Sequence, residues 1–124
     1  MEIKKPKIGE YIRTKDGEIF KLAKYYKLGR FKQMKDSMGI LHGRYDKVVK
    51  KHSFDIRDLF EFGDFVNGER LQKAGDMLGL TNDQCGVFYG IKRIQVISFV
   101  TKEQFEDKEK WNQRITDKVK IFYL

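Results

Sequence analysis

A chain of 124 residues with 26 Lys plus Arg against 18 Asp plus Glu has the length of one small domain and a formal charge of +8. At this length roughly two thirds of the unfolded surface is buried on folding, and 40% apolar residues with 14% aromatics supply one core. That excludes global disorder and a multidomain machine, while the single cysteine and the lack of clustered Cys and His exclude an internal disulfide and a structural zinc site.

The longest apolar run, Val96 to Val100, is far short of the roughly 20 residues a membrane helix needs, so no membrane association is expected. Met1 to Lys7 carries charges with no hydrophobic stretch after it, which is not the pattern of a secretory signal. A cytoplasmic protein is expected. Charge is uneven along the chain: residues 1–52 hold 15 basic and 6 acidic residues, residues 53–86 hold 3 and 7, and residues 87–124 hold 8 and 5. With proline only at position 6 and no Ser/Gly-rich linker, residues 1–124 read as a single domain.

Taken in chain order, Gly9-Glu10-Tyr11-Ile12-Arg13-Thr14 is rich in strand formers, Asp16-Gly17 suits a turn, and Glu18 to Tyr26 resumes the alternation. This predicts a β-hairpin over about 8–28. Residues Phe31 to Met38 are polar with scattered apolar positions and lead to a turn at Asp36-Ser37-Met38-Gly39, and Arg44 to Lys50 reads as a short strand. Ser53 is positioned to cap a helical turn that reaches Phe60.

A second hairpin is predicted over about 62–74, where Asn67-Gly68 is the strongest two-residue turn signal in the chain. Gly9-Glu10-Tyr11-Ile12 and Gly63-Asp64-Phe65-Val66 share one chemical order, as two half-repeats would, or as unrelated strand starts in small β-domains do. Thr81 to Gly86 reads as the tip of another hairpin, and Lys92 to Val100 as a strand apolar on both faces. Thr101-Lys102-Glu103-Gln104 is a capping box that predicts a helix over about 101–114, with Phe105 and Trp111 on its buried side. Val119 to Leu124 offers a last strand or a docking tail. The fold class expected is mainly β within α+β: a small SH3-like or related β-barrel with a C-terminal helix.

The most informative chemistry is a basic block interleaved with aromatics: Lys21, Lys24, Tyr25, Tyr26, Lys27, Arg30, Phe31, Lys32 and Lys35, which Lys47 and Lys50 extend. Cations for phosphates and ring faces for bases are what nucleic-acid binders combine. The same pattern also arises when lysines solubilise edge strands and the aromatics are core. Asp55, Asp58, Glu61, Asp64 and Glu69 lack the ligand order of a calcium loop, so no metal site is assigned. His42, His52 and Cys85 stand outside any nucleophile motif, and the glycines form no phosphate-binding fingerprint, so no catalytic residue and no cofactor are assigned.

The order Ile8 to Gly17, then His52-Ser53 with Leu59 to Gly68, then Ile94 and Val100 to Glu106 resembles small accessory proteins of clostridial and other Firmicute prophages. The basic stretch from Lys21 to Lys51 departs from that pattern. The resemblance implies a phage accessory protein in the host cytoplasm, and the basic and aromatic surface points to a non-enzymatic role with a nucleic acid or nucleoprotein as partner. A host defence complex is the specific version, as for an anti-CRISPR protein. The alternatives carried from the sequence are an oligomeric sponge for small nucleotides and a structural or assembly protein of the virion.

Overall fold

The computed structural model describes residues 4–81, 86–110 and 122–124, and they fall into two compact units, Met1–Leu59 and Phe60–Leu124. The chain is mainly β. No helix among the described residues is long and apolar enough to cross a membrane.

The first unit is one antiparallel sheet in the order β4-β3-β2-β1-β5, built from β1 (Tyr11–Thr14), β2 (Ile19–Leu28), β3 (Phe31–Asp36), β4 (Leu41–Gly43) and β5 (Val49–Ser53). The β1–β2 turn forms because Thr14 accepts the Glu18 amide at its Oγ1, 2.9 Å away, while Gly17 takes a φ of 90° that a side chain would resist. Ile12, Phe20, Leu22, Met34 and Val49 make the core, with Tyr25, Tyr45 and Val48 packed against it. On β1 the neighbour of Ile12 is also buried: Arg13 is fully covered and donates from Nη1 to the Leu59 carbonyl, 2.9 Å away, in a 3-10 turn at Ile56–Leu59.

Two segments of this unit differ from the sequence reading and a third agrees with it. Phe31–Asp36 is a full strand, although only Met34 along it is buried. The segment from Arg44 is not a strand at its start: Tyr45–Val48 forms a single helical turn, α1, before β5 begins. The helical turn expected after Ser53 forms: Ser53 accepts the Asp55 amide at 3.1 Å, and Ile56–Leu59 is a 3-10 turn. The expected barrel is not closed among the described residues. β4 pairs only with β3 and β5 only with β1, which leaves both as edges.

The second unit contains β6 (Phe65–Val66), β7 (Glu69–Arg70), β8 (Gln72–Ala74), β9 (Met77–Thr81), β10 (Phe88–Gly90), β11 (Ser98–Val100), α2 (Lys102–Lys110) and β12 (Phe122–Tyr123). The strands form two antiparallel sheets, β12-β11-β6-β7 and β10-β9-β8. Asn67 (φ 54°) and Gly68 (φ 83°) are both left-handed, as a type I′ turn requires. Phe60 meets Phe99 edge to face at 4.6 Å, and Val66, Leu71 and Leu80 are buried in the same unit.

Helix α2 starts where the capping residue places it. Thr101 Oγ1 accepts the Gln104 amide at 3.4 Å, and the fully buried Asp64 accepts the Lys102 amide at 2.9 Å and the Glu61 amide at 2.7 Å. Phe105 stacks at a tilt against Phe65, 4.5 Å between centroids. The long strand expected over 92–100 shortens to Ser98–Val100. Ile91–Arg93 is a 3-10 turn, and Ile97 and Ser98 donate their amides to the Asn67 side chain. Trp111 and the expected end of the helix at 114 lie outside the described residues, as does Cys85.

Candidate nucleic-acid interface

The basic block is one structural object, the β2–β3 hairpin. Its register pairs Lys24 with Lys35, Tyr25 with Met34, Tyr26 with Gln33, Lys27 with Lys32 and Leu28 with Phe31. The β1 side of β2 is paired as far as Leu22, which exchanges main-chain hydrogen bonds with Gly9 and Glu10, and on the other side β4 reaches no further along β3 than Met34. The last three rungs and the turn therefore project past both flanking strands as a free two-stranded ribbon. Gly29 makes the turn, with φ 65° at the first central position as a type II′ hairpin requires.

Strand alternation sorts the side chains. Lys24, Tyr26 and Leu28 share one face with Lys35, Gln33 and Phe31. Tyr25 and Lys27 share the other with Met34 and Lys32. The register shift between Leu22 and Lys24 leaves Ala23 as a bulge residue, so Lys24 falls on the outer face and Tyr25 on the core face. The hairpin thus carries a lysine rung on each face, Lys27 with Lys32 in the projecting ribbon and Lys24 with Lys35 at its base beside β4, with Arg30 in the turn. Among the described residues Lys24, Lys27, Arg30 and Lys32 have no ion pair, and directly opposed like charges cost rather than add stability.

The aromatics divide by exposure. Tyr26 is 43% and Phe31 48% exposed, each beside a cation: Lys35 Nζ lies 5.1 Å from the Tyr26 centroid and the Arg44 guanidinium 3.9 Å from that of Phe31. Tyr25 is not such a platform. It meets Tyr45 edge to face at 6.4 Å, its hydroxyl donates to the Pro6 carbonyl, and Lys5 Nζ sits 4.5 Å from its ring centroid. Burial, with Tyr45 and Glu10 adding, pushes the Tyr25 phenol up to about 12.

The remaining expected residues lie elsewhere. Lys21 is next to the Tyr11 ring at the other end of β2. Lys47 borders a cavity of about 270 Å³ with Asp16 and Glu18 beside the β1–β2 turn. Lys50 is the bulge residue at the β1–β5 register shift, on the sheet edge opposite β4. Conversely, Lys5 and Arg44 belong to the ribbon's surroundings although the sequence pattern does not single them out. Arg44 is reached only through the β3–β4 pairing, and Lys5 only through the hydrogen bond between Tyr25 and Pro6.

The other candidate chemistry is absorbed by structure. His42 stacks on Phe20 at 3.7 Å with Nε2 2.8 Å from Asp36. His52 Nδ1 lies 3.0 Å from Glu10. Glu61 pairs with Lys102 at 3.0 Å, and Asp55 with Arg57 at 2.9 Å. Among the described residues no three His, Cys, Asp or Glu side chains gather where they would hold a metal ion. A second cavity of about 620 Å³ lies in the second unit between Met77, Phe88, Ile91 and Arg93. No protein-family model, curated protein or solved structure matches the chain.

Proposed function

We propose that this chain is a non-enzymatic accessory protein that binds nucleic acid, free or within a nucleoprotein, through the β2–β3 ribbon. The observation that carries the reading is the pair of like-charged rungs, Lys27 opposite Lys32 on the ribbon that projects beyond its sheet and Lys24 opposite Lys35 at its base, where β4 still pairs with β3. Each rung costs a few tenths of a kcal/mol in the free protein, and phosphates supply the countercharge that the fold withholds. Tyr26 and Phe31 add exposed ring surface beside these cations. The prophage resemblance supports host cytoplasm as the setting and a defence nucleoprotein of CRISPR-Cas type as the target. The strand order β4-β3-β2-β1-β5, with the fifth strand returning to the first, supports an open relative of the SH3-like barrels as the scaffold.

The test is binding of the purified protein to labelled DNA and RNA, single- and double-stranded, across a salt series. Affinity should fall steeply with salt, and replacing all four rung lysines with glutamine should flatten the duplex slope by about 3.6, roughly 0.9 for each phosphate no longer neutralised. No binding to any of them at low salt overturns the reading. A second reading, a sponge for small nucleotides, is favoured by the cavity beside Phe88 and Arg93. It requires short nucleotides to bind without competing for the ribbon.

A further inference from the structure

From the placement of the lysine rungs we infer that the ribbon enters a groove of duplex nucleic acid tip first, with phosphates on both sides of it. This rests on the nucleic-acid reading above and names its ligand class. The ground is two-sidedness. A single strand laid along a ribbon meets one face, and cations on the opposite face then gain nothing. Here Lys24 and Lys35 stand on one face, Lys27 and Lys32 on the other, and Arg30 lies in the turn between.

A duplex groove is bounded by two phosphate rails, and it is the ligand geometry that uses both faces at once. Dimensions agree. A two-stranded ribbon fits a major groove about 12 Å wide and about 8.5 Å deep. The three rungs from Tyr26/Gln33 to Leu28/Phe31 with their turn project roughly 10 Å past the flanking strands. Insertion to that depth carries Lys27 and Lys32 into the groove on the side of one rail, leaves Lys24 and Lys35 at its mouth on the side of the other, and brings Arg30 to the floor, where a guanidinium meets base edges.

The experiment compares two double variants, Lys24→Gln with Lys35→Gln and Lys27→Gln with Lys32→Gln. Both are titrated by fluorescence anisotropy against a random-sequence duplex and against one of its strands, over a salt series. The expected result is that the parent protein prefers the duplex and that each double variant independently loses about tenfold in duplex affinity at moderate salt. Each should also flatten the slope by about 1.8. Melting temperatures at or above the parent's verify that both variants fold, since each relieves a repulsion. If one pair proves dispensable on the duplex, or the strand binds as tightly as the duplex, the two-sided groove mode is overturned while the nucleic-acid reading stands. If the parent binds neither, both fall.

Discussion

The Tyr25 hydroxyl donates to the main-chain carbonyl of Pro6 at 2.5 Å, which ties the segment before β1 to the base of the ribbon. Pro6 is fully buried there, and Lys5 is thereby held over the Tyr25 ring. This hydrogen bond makes one residue both an anchor and a titrating group.

The folded chain holds the Tyr25 proton more tightly than an unfolded chain, about 12 against an ordinary 10.0. The stability this confers is complete below pH 10 and is lost as pH rises from 10 to 12. Tyr25→Phe should cost about 1 kcal/mol at neutral pH through the lost hydrogen bond and should flatten the alkaline decline. Urea unfolding of both proteins across that range checks it.

Asp36 works at the opposite end of the pH scale. Burial pushes its carboxyl up, but hydrogen bonds from His42 and from the Ile40 and Met38 amides outweigh burial and hold it below the ordinary 3.8. A depressed carboxyl stabilises above its unfolded value and loses that contribution as pH falls below 3.8 towards the folded one. Asp36→Asn should cost roughly 1 kcal/mol at neutral pH and make the protein less sensitive to acid in that window. Thermal melts at graded acid pH measure both effects.

Asp64 is the buried junction of the second unit, accepting from Lys102 and Glu61 with its side chain while its carbonyl accepts from Leu71 at 2.7 Å. Asp64→Ala leaves two amides without an acceptor and should destabilise by about 2 kcal/mol. Asp64→Asn keeps one oxygen and should lose about half of that. Chemical denaturation followed by circular dichroism compares them.

The ribbon trades stability for charge, and the trade can be reversed. Lys27→Glu places an acid opposite Lys32 and should raise stability by about 0.5 kcal/mol, because it replaces repulsion with attraction across the rung. The same change should weaken nucleic-acid binding several-fold. Unfolding and anisotropy on one preparation check whether the two move in opposite directions.

The features legible in the sequence are those set by local chemistry. Asp16-Gly17, Asn67-Gly68 and the Thr101 cap each act within a few residues, and each forms where its residues stand. β3 is hard to read because a projecting ribbon has little interior: its residues are largely polar, and burial, the usual source of alternation, reaches only Met34. The Leu28-Gly29-Arg30-Phe31 turn is hidden inside a run that reads as basic surface. The strand over 92–100 is over-extended for the converse reason: its apolar residues before Ser98 do not make a ladder, and Asn67 takes the Ile97 and Ser98 amides instead. For the candidate site, composition identifies the cations, but only the register reveals which lysines oppose each other and which, such as Lys47 and Lys50, stand apart.

The bulge at Ala23 faces Asp36 and Lys35 across β3, and the next register shift, between Met34 and Lys35, leaves His42 as the extra residue on β4. The two strands that flank β3 therefore each take up one surplus residue along a line that passes through Lys35, which forms a crease across the sheet. Removing Ala23 would leave every rung beyond it paired as before, with Lys24 still outward and Tyr25 still inward. Where the arm points and what it carries are thus written in different residues, so its aim can drift while its charge pattern is kept.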